Sequence, residues 1–139
     1  MIVLKKIKFK NFLATGNQFI EVSLDKNPMT LVVGKNGAGK STLIDAITFA
    51  LFGKAFKKIT KSQLTNTIND SDLFTEIEFT IGRHEWKVQR GIKPNIFRIY
   101  LNGKKIDQDA KATDYQKYLE EKVLKLNFKS FTQIVVLGL

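Results

Sequence analysis

Gly34-Lys-Asn-Gly-Ala-Gly-Lys-Ser-Thr42 fits the phosphate-loop pattern G-x-x-x-x-G-K-[ST] at every fixed position. An apolar run, Met29 to Val33, precedes it, and an amphipathic run, Leu43 to Phe52, follows. Strand, glycine loop and helix is the order the motif requires. Gly34, Gly37 and Gly39 carry no Cβ, so neighbouring amide N–H groups can turn inward around a β-phosphate. The helix behind the loop adds its positive end. Lys40 is placed to reach the β- and γ-phosphates as a mobile cation, and the chemistry of the site rests on it. Ser41 offers a hydroxyl to Mg²⁺, and Thr42 lies near the α-phosphate. Asn36 and Ala38 belong to the same cradle. The pattern predicts a bound nucleoside triphosphate.

Working outward, the helix after the loop places Leu43, Ala46, Ile47, Ala50 and Leu51 on one stripe, the spacing of a buried face. Gly53 is positioned to end it. Upstream, Ile2 to Phe9 reads as a strand with loose alternation, and Asn11 to Asn17 as a turn. Phe19 to Leu24 alternates, with Ile20, Val22 and Leu24 on one face. Downstream, Lys54 to Lys61 forms a basic connector. A meander then follows in Glu76–Ile81, Trp86–Arg90 and Phe97–Leu101, with Asn102-Gly103 as a tight-hairpin signal. Thr113 with Gln116 predicts a capping box for a helix reaching about Leu124. No repeat or low-complexity tract is present.

The 139 residues suit one domain with a substantial core. Cysteine is absent, which excludes a disulfide framework or a thiolate metal site and fits a reducing cytosol. No apolar stretch reaches the ~18 residues of a membrane span, so a membrane partner is not expected. Lys and Arg number 23 against 13 Asp and Glu, a net charge of +10. That balance predicts a polyanionic partner, nucleic acid before membrane.

Hydrolysis needs more than a phosphate loop. A second strand normally ends in an acid that orders Mg²⁺, and a glutamate follows to position water. No apolar run after residue 42 ends in Asp-Glu. The chain ends at Leu139 straight after the apolar run Ile134 to Leu137, which reads as an interruption; a complete small nucleotide binder is the alternative. A phosphate-loop kinase or GTPase fits less well. The loop lies behind two earlier strands, and no base-selecting motif follows it.

Taken together these residues resemble the N-terminal ATPase segment of the SbcC / Rad-fifty family, SMC-like ATPases that partner a nuclease in double-strand-break processing. Phe9-Lys-Asn-Phe12 resembles the family's opening strand and turn. Gly34 to Thr42 with Leu43-Ile-Asp-Ala-Ile-Thr-Phe-Ala-Leu-Phe-Gly53 resembles its loop and first helix. Gln89-Arg-Gly-Ile-Lys-Pro-Asn-Ile-Phe97 and Ser130-Phe-Thr-Gln-Ile-Val-Val-Leu-Gly138 are similar to the recombination endonuclease subunits of T-even-like bacteriophages.

The resemblance implies an α/β fold: the N-terminal lobe of an ABC/SMC-type ATPase head, spanning residues 1–139. A mixed sheet would curl around the phosphate-loop helix, with an antiparallel meander beside it. It implies ATP and Mg²⁺, sandwiched between two heads that each supply half a site. The signature motif, the acidic metal strand and the catalytic glutamate would come from the remaining half of the head. The segment alone is therefore expected to be monomeric with little or no turnover. The resemblance further implies a nuclease subunit and double-stranded DNA as partners, in the cytoplasm (the host's, if phage-encoded). A nucleotide-dependent DNA-binding module that does not hydrolyse is the alternative.

By the same resemblance Lys10 and Asn11 lie near the nucleotide. A Mg²⁺-sensing glutamine is expected just after the last strand, near Leu139 by its spacing from Phe131. Gln133, the available glutamine, lies inside the preceding apolar segment. It is carried as a weak metal candidate beside a structural reading. Candidate DNA contacts are Lys54, Lys57, Lys58 and Lys61 in the connector, and Arg90 and Lys93 in the meander, all through phosphates. Trp86, Phe97 and Tyr100 are expected to pack rather than stack on bases.

Overall fold

A parity slip organises the first strand. The computed structural model describes residues 2–12, 19–24, 37–53, 72–93, 95–106, 112–125 and 127–131. The side chains of residues 37–42 and 112–114 lie outside that description. In β1 (Ile2–Lys10), Ile2 and Leu4 face the core opposite Ile81 and Phe79. A bulge between Leu4 and Lys6 then shifts the register, and Ile7 and Phe9 face inward opposite Ile77 and Thr75. One extra residue in a strand flips every later side chain, which explains the loose alternation of the sequence.

β1 pairs on one side with the short edge strand β2 (Ile20–Ser23) and on the other with β3 (Leu73–Ile81). The sheet continues through β4 (His84–Ile92), β5 (Ile96–Leu101) and β6 (Lys104–Lys105), in the order β2-β1-β3-β4-β5-β6. Every described pair is antiparallel. The run Met29 to Val33, which would feed the phosphate loop, lies outside the described residues.

Turn chemistry sets the meander. Gly82 takes φ +61° in the two-residue loop joining Ile81 to His84. Asn102 and Gly103 both take positive φ, +51° and +86°, as a primed hairpin turn requires. The Asn102 side-chain oxygen also accepts from Glu85 N–H at 2.8 Å.

One face of the sheet carries the core. Ile7, Phe9, Ile77, Phe79, Val88 and Ile99 point to helix α1 (Gly37–Phe52), which packs on β3, β4 and β1. The stripe expected for α1 is too narrow. All ten residues from Leu43 to Phe52 are buried, Asp45 and Thr48 included. Over these ten residues the helix is covered on every side, not amphipathic. Thr48 satisfies its hydroxyl locally, on Ile44 O and Asp45 O, both at 3.1 Å.

Helix α2 (Ala112–Tyr118) starts at Ala112, one residue before the expected cap, and runs into a π-helical turn, Leu119–Leu124. Lys125, at φ +57°, closes that turn by donating to Glu120 O, five residues back. Tyr115 anchors α2 to β5: its hydroxyl accepts from Ile99 N–H at 3.0 Å and donates to Ile106 O at 2.9 Å. Beyond it, Asn127 caps a single helical turn, 128–131, through Ser130 N–H at 2.8 Å. Phe128 and Phe131 from that turn grip Phe52 of α1, with ring centroids 5.7 and 5.3 Å apart. The outcome is the α/β lobe expected from the sequence, with α1 as its central strut.

Candidate nucleotide site

Gly37, Ala38, Gly39, Lys40, Ser41 and Thr42 form the first turns of α1. The first turn of α1 contains no acidic residue, so its N–H groups, which have no acceptor within the helix, and its positive pole meet no competing carboxylate from that turn. These are the conditions an anionic phosphate requires of a helix start. Gly34 and Asn36 lie outside the described residues, as do the side chains of Lys40, Ser41 and Thr42.

The far end of α1 is fixed by an unusual set of contacts. Gly53 takes φ +79°, and its N–H reaches Phe49 O at 2.8 Å. Arg90 from β4 approaches the same turn, 8% exposed. Its Nε donates to Ala50 O at 3.1 Å, and its Nη2 donates to Leu51 O at 3.4 Å and to the Gln116 side-chain oxygen. The guanidinium lies 3.8 Å from the centroid of the Phe97 ring. Gln116 Nε2 donates in turn to Leu51 O at 3.0 Å and to Glu120 at 2.8 Å. A buried cation at a helix C-terminus complements the dipole and satisfies carbonyls that have no partner within the helix, an effect of up to about 2 kcal/mol. Burial pushes the Arg90 guanidinium down to about 9, with Glu120 opposing, so it stays a cation at neutral pH.

This arrangement corrects one expectation. Arg90 is not a surface phosphate contact, because all its described bonds turn inward to α1 and α2. Val88 and Arg90 share the inward parity of β4, and that parity was the available signal. Gln116 is engaged at the end of α1, while the Thr113 side chain of the expected capping box lies outside the described residues. A buried guanidinium needs an acceptor, and Gln116 supplies it while closing the C-terminus of α1.

Lys10 and Asn11 sit at the end of β1. The Lys10 ammonium pairs with the Asp72 carboxylate at 3.1 Å and lies 4.9 Å from the Phe19 ring centroid. Asn11 is fully buried at φ +53° and donates to Asp72 O at 3.1 Å. Phe12 next to it bridges Phe9 and Phe49, at 6.1 and 5.8 Å. The segment is thereby bolted to α1. Lys93 is exposed, at φ +56°, and its carbonyl accepts from Asp72 N–H at 2.8 Å. Lys54, Lys57, Lys58, Lys61 and Gln133 lie outside the described residues. Phe97 packs on Tyr115 at 4.9 Å, and Trp86 packs against the core, as expected. Among the described residues no helix is long and apolar enough to cross a membrane.

Residues 6–138 match the family described as AAA domain. The chain is 41% identical over 135 residues to exonuclease subunit 2 of Enterobacteria phage T4, covering 97% of this chain and 24% of the relative. It is 29% identical to the DNA double-strand break repair Rad50 ATPase of Thermoplasma volcanium, covering 91% of this chain and 14% of that protein. The chain thus spans about a quarter of the length of the phage relative. Among solved structures, the Smc head domain of Pyrococcus furiosus superposes with a TM-score of 0.61 at 19% identity, over 95% of this chain and 35% of that one. A second SMC ATPase structure gives 0.55 at 20% identity, over 89% and 80%. The fold is that of the N-terminal lobe of an SMC-type ATPase head; the chain belongs to the AAA domain family, and the likeness to SbcC and Rad-fifty ATPases read from its residues is borne out.

Proposed function

We propose that this chain is the ATP-binding lobe of an SMC-like ATPase that works with a nuclease on DNA ends. The observation that carries the reading is a complete phosphate loop opening a helix buried through its last ten residues. The 41% identity to a phage exonuclease subunit and the likeness to Rad50 ATPases support the setting.

In this reading the N–H groups of residues 34–39 cradle the β-phosphate, Lys40 bridges the β- and γ-phosphates, and Thr42 lies at the α-phosphate. Ser41 holds Mg²⁺, which neutralises charge on the phosphates when bound. The first turn of α1, free of acids, fits that cation–phosphate pair. Lys10 and Asn11 belong to the nucleotide's neighbourhood as residues that Asp72 holds in place. A second lobe supplies the signature motif, the acidic metal strand and the catalytic glutamate. ATP then closes two heads, and closure gates the nuclease. The protein acts in the cytoplasm. Duplex DNA lies across Lys54, Lys57, Lys58, Lys61 and Lys93, bound through phosphates without sequence reading.

The test is steady-state ATP hydrolysis by this chain alone and by the assembled head. Turnover that appears only on assembly, and that Lys40→Ala removes, supports the reading. DNA binding that depends on nucleotide with no turnover in the assembled head would favour a non-hydrolysing module instead.

A further inference from the structure

We infer that Arg90 is a positioning residue for the phosphate loop, acting along α1 from its opposite end. The inference rests on the nucleotide reading above and adds a residue to it. Three observations carry it. First, the guanidinium donates to the carbonyls of Ala50 and Leu51, the last turn of the helix whose first turn contains Lys40 and Ser41. Second, the site is built around this group. A Cβ on Gly53 would lie 2.8 Å from Arg90 Nη1, Phe97 stacks beneath it, and Gln116 accepts from it while donating to the same Leu51 carbonyl. Third, Leu43 to Phe52 are buried without a break, so over these ten residues α1 has no exposed turn in which a shift from its C-terminal end could dissipate.

A 16-residue helix is about 24 Å long and moves as one rod when its surroundings are close-packed. Its axial position and rotation set where the N–H groups of the loop point. Arg90 fixes both, because the planar fork spans two carbonyls and a side chain on a second helix. A lysine ammonium on a flexible stem cannot reproduce that fork. The cation also sits at the negative pole of the dipole whose positive pole would face the phosphates.

The test compares Arg90→Lys, Arg90→Met and Val88→Ala with wild type. Val88→Ala removes core volume two residues away on the same strand and face, and so reports general loss of stability. Two readouts are taken where each variant is at least 95% folded by circular dichroism. One is the Kd for Mg-ATP by calorimetry; the other is hydrogen exchange of the amides of residues 39–43. The expected result is at least a tenfold weaker Kd and at least fivefold faster exchange in Arg90→Met. Arg90→Lys falls between, and Val88→Ala stays within twofold of wild type. If Arg90→Met does not reach that folded fraction, Gln116→Leu replaces it, with a threefold loss of affinity expected. Unchanged affinity and exchange in Arg90→Met, or in its replacement, overturns the inference, as does an equal loss in Val88→Ala. Absence of Mg-ATP binding by the folded wild type overturns the nucleotide reading alone; the exchange data then decide separately whether Arg90 fixes the helix start, and unchanged exchange in Arg90→Met overturns the inference.

Discussion

Arg90 Nη1 lies 2.8 Å from where a Cβ on Gly53 would stand, so the glycine that ends α1 and the arginine that caps it share one space. Gly53 is needed twice, for its φ of +79° and for the room it leaves. Gly53→Ala is expected to cost on the order of 2 kcal/mol, the sum of left-handed strain and a displaced guanidinium. Urea denaturation checks the value. Gly91→Ala is expected to cost more, about 3 kcal/mol, because its Cβ would meet Leu73 O at 2.6 Å and backbone cannot swing away.

Phe12 links the end of β1 to Phe49 of α1, and both rings are buried. Phe49→Ala is expected to cost roughly 3–5 kcal/mol through the cavity it leaves. The loss should appear as a lower denaturation midpoint with an unchanged slope against denaturant.

Lys6 bridges Glu21 of β2 at 2.9 Å and Glu78 of β3 at 3.0 Å, tying three strands on the outer face. The hydrogen bonds to Glu21 and Glu78 raise the Lys6 ammonium above its ordinary 10.5, and Lys6 holds the Glu21 carboxyl below its ordinary 4.5. The Glu21 contribution is therefore complete above pH 4.5 and is lost as pH falls through its lowered value. The Lys6 contribution is complete below pH 10.5 and is lost as pH rises through its raised value. Glu21→Gln should reduce stability at pH 7 and leave it unchanged at pH 2. High salt should shrink the difference at pH 7, because these groups are exposed. Melting curves at the two pH values check both.

The DNA footprint has a sharp contrast built in. Neutralising Lys54, Lys57, Lys58 and Lys61 should lower the slope of log K against log salt by about 0.9 for each phosphate that the variant leaves unneutralised. Arg90→Met, which removes the charge, should leave that slope unchanged, because the group is buried against α1. A salt titration of duplex binding reads both, and an unchanged slope in the quadruple variant removes the connector from the interface.

Much of this architecture was legible in the chain. The helix that follows the glycine loop, the terminating Gly53, the meander strands and the Asn102-Gly103 turn are short-range features, each dictated by its own residues. What escaped depends on packing between distant segments. Leu43 to Phe52 includes Asp45 and Thr48, which reads as a polar face until layers on all sides bury it. Arg90 reads as a phosphate partner because an arginine in a basic chain usually faces solvent. Only its parity with Val88, and a helix end offering two free carbonyls, turn it inward. Gln116 reads as a cap by spacing alone, and nothing in that spacing shows its bond to Arg90, 26 residues away. The bulge in β1 was visible only as imperfect alternation.

The central claim is a nucleotide site at the start of α1, and calorimetric titration with Mg-ATP, wild type against Lys40→Ala, tests it most directly. The expected result is saturable binding at one site per chain, abolished by Lys40→Ala with the fold intact by circular dichroism. Binding that survives Lys40→Ala, or no binding by a folded wild-type chain, would contradict it.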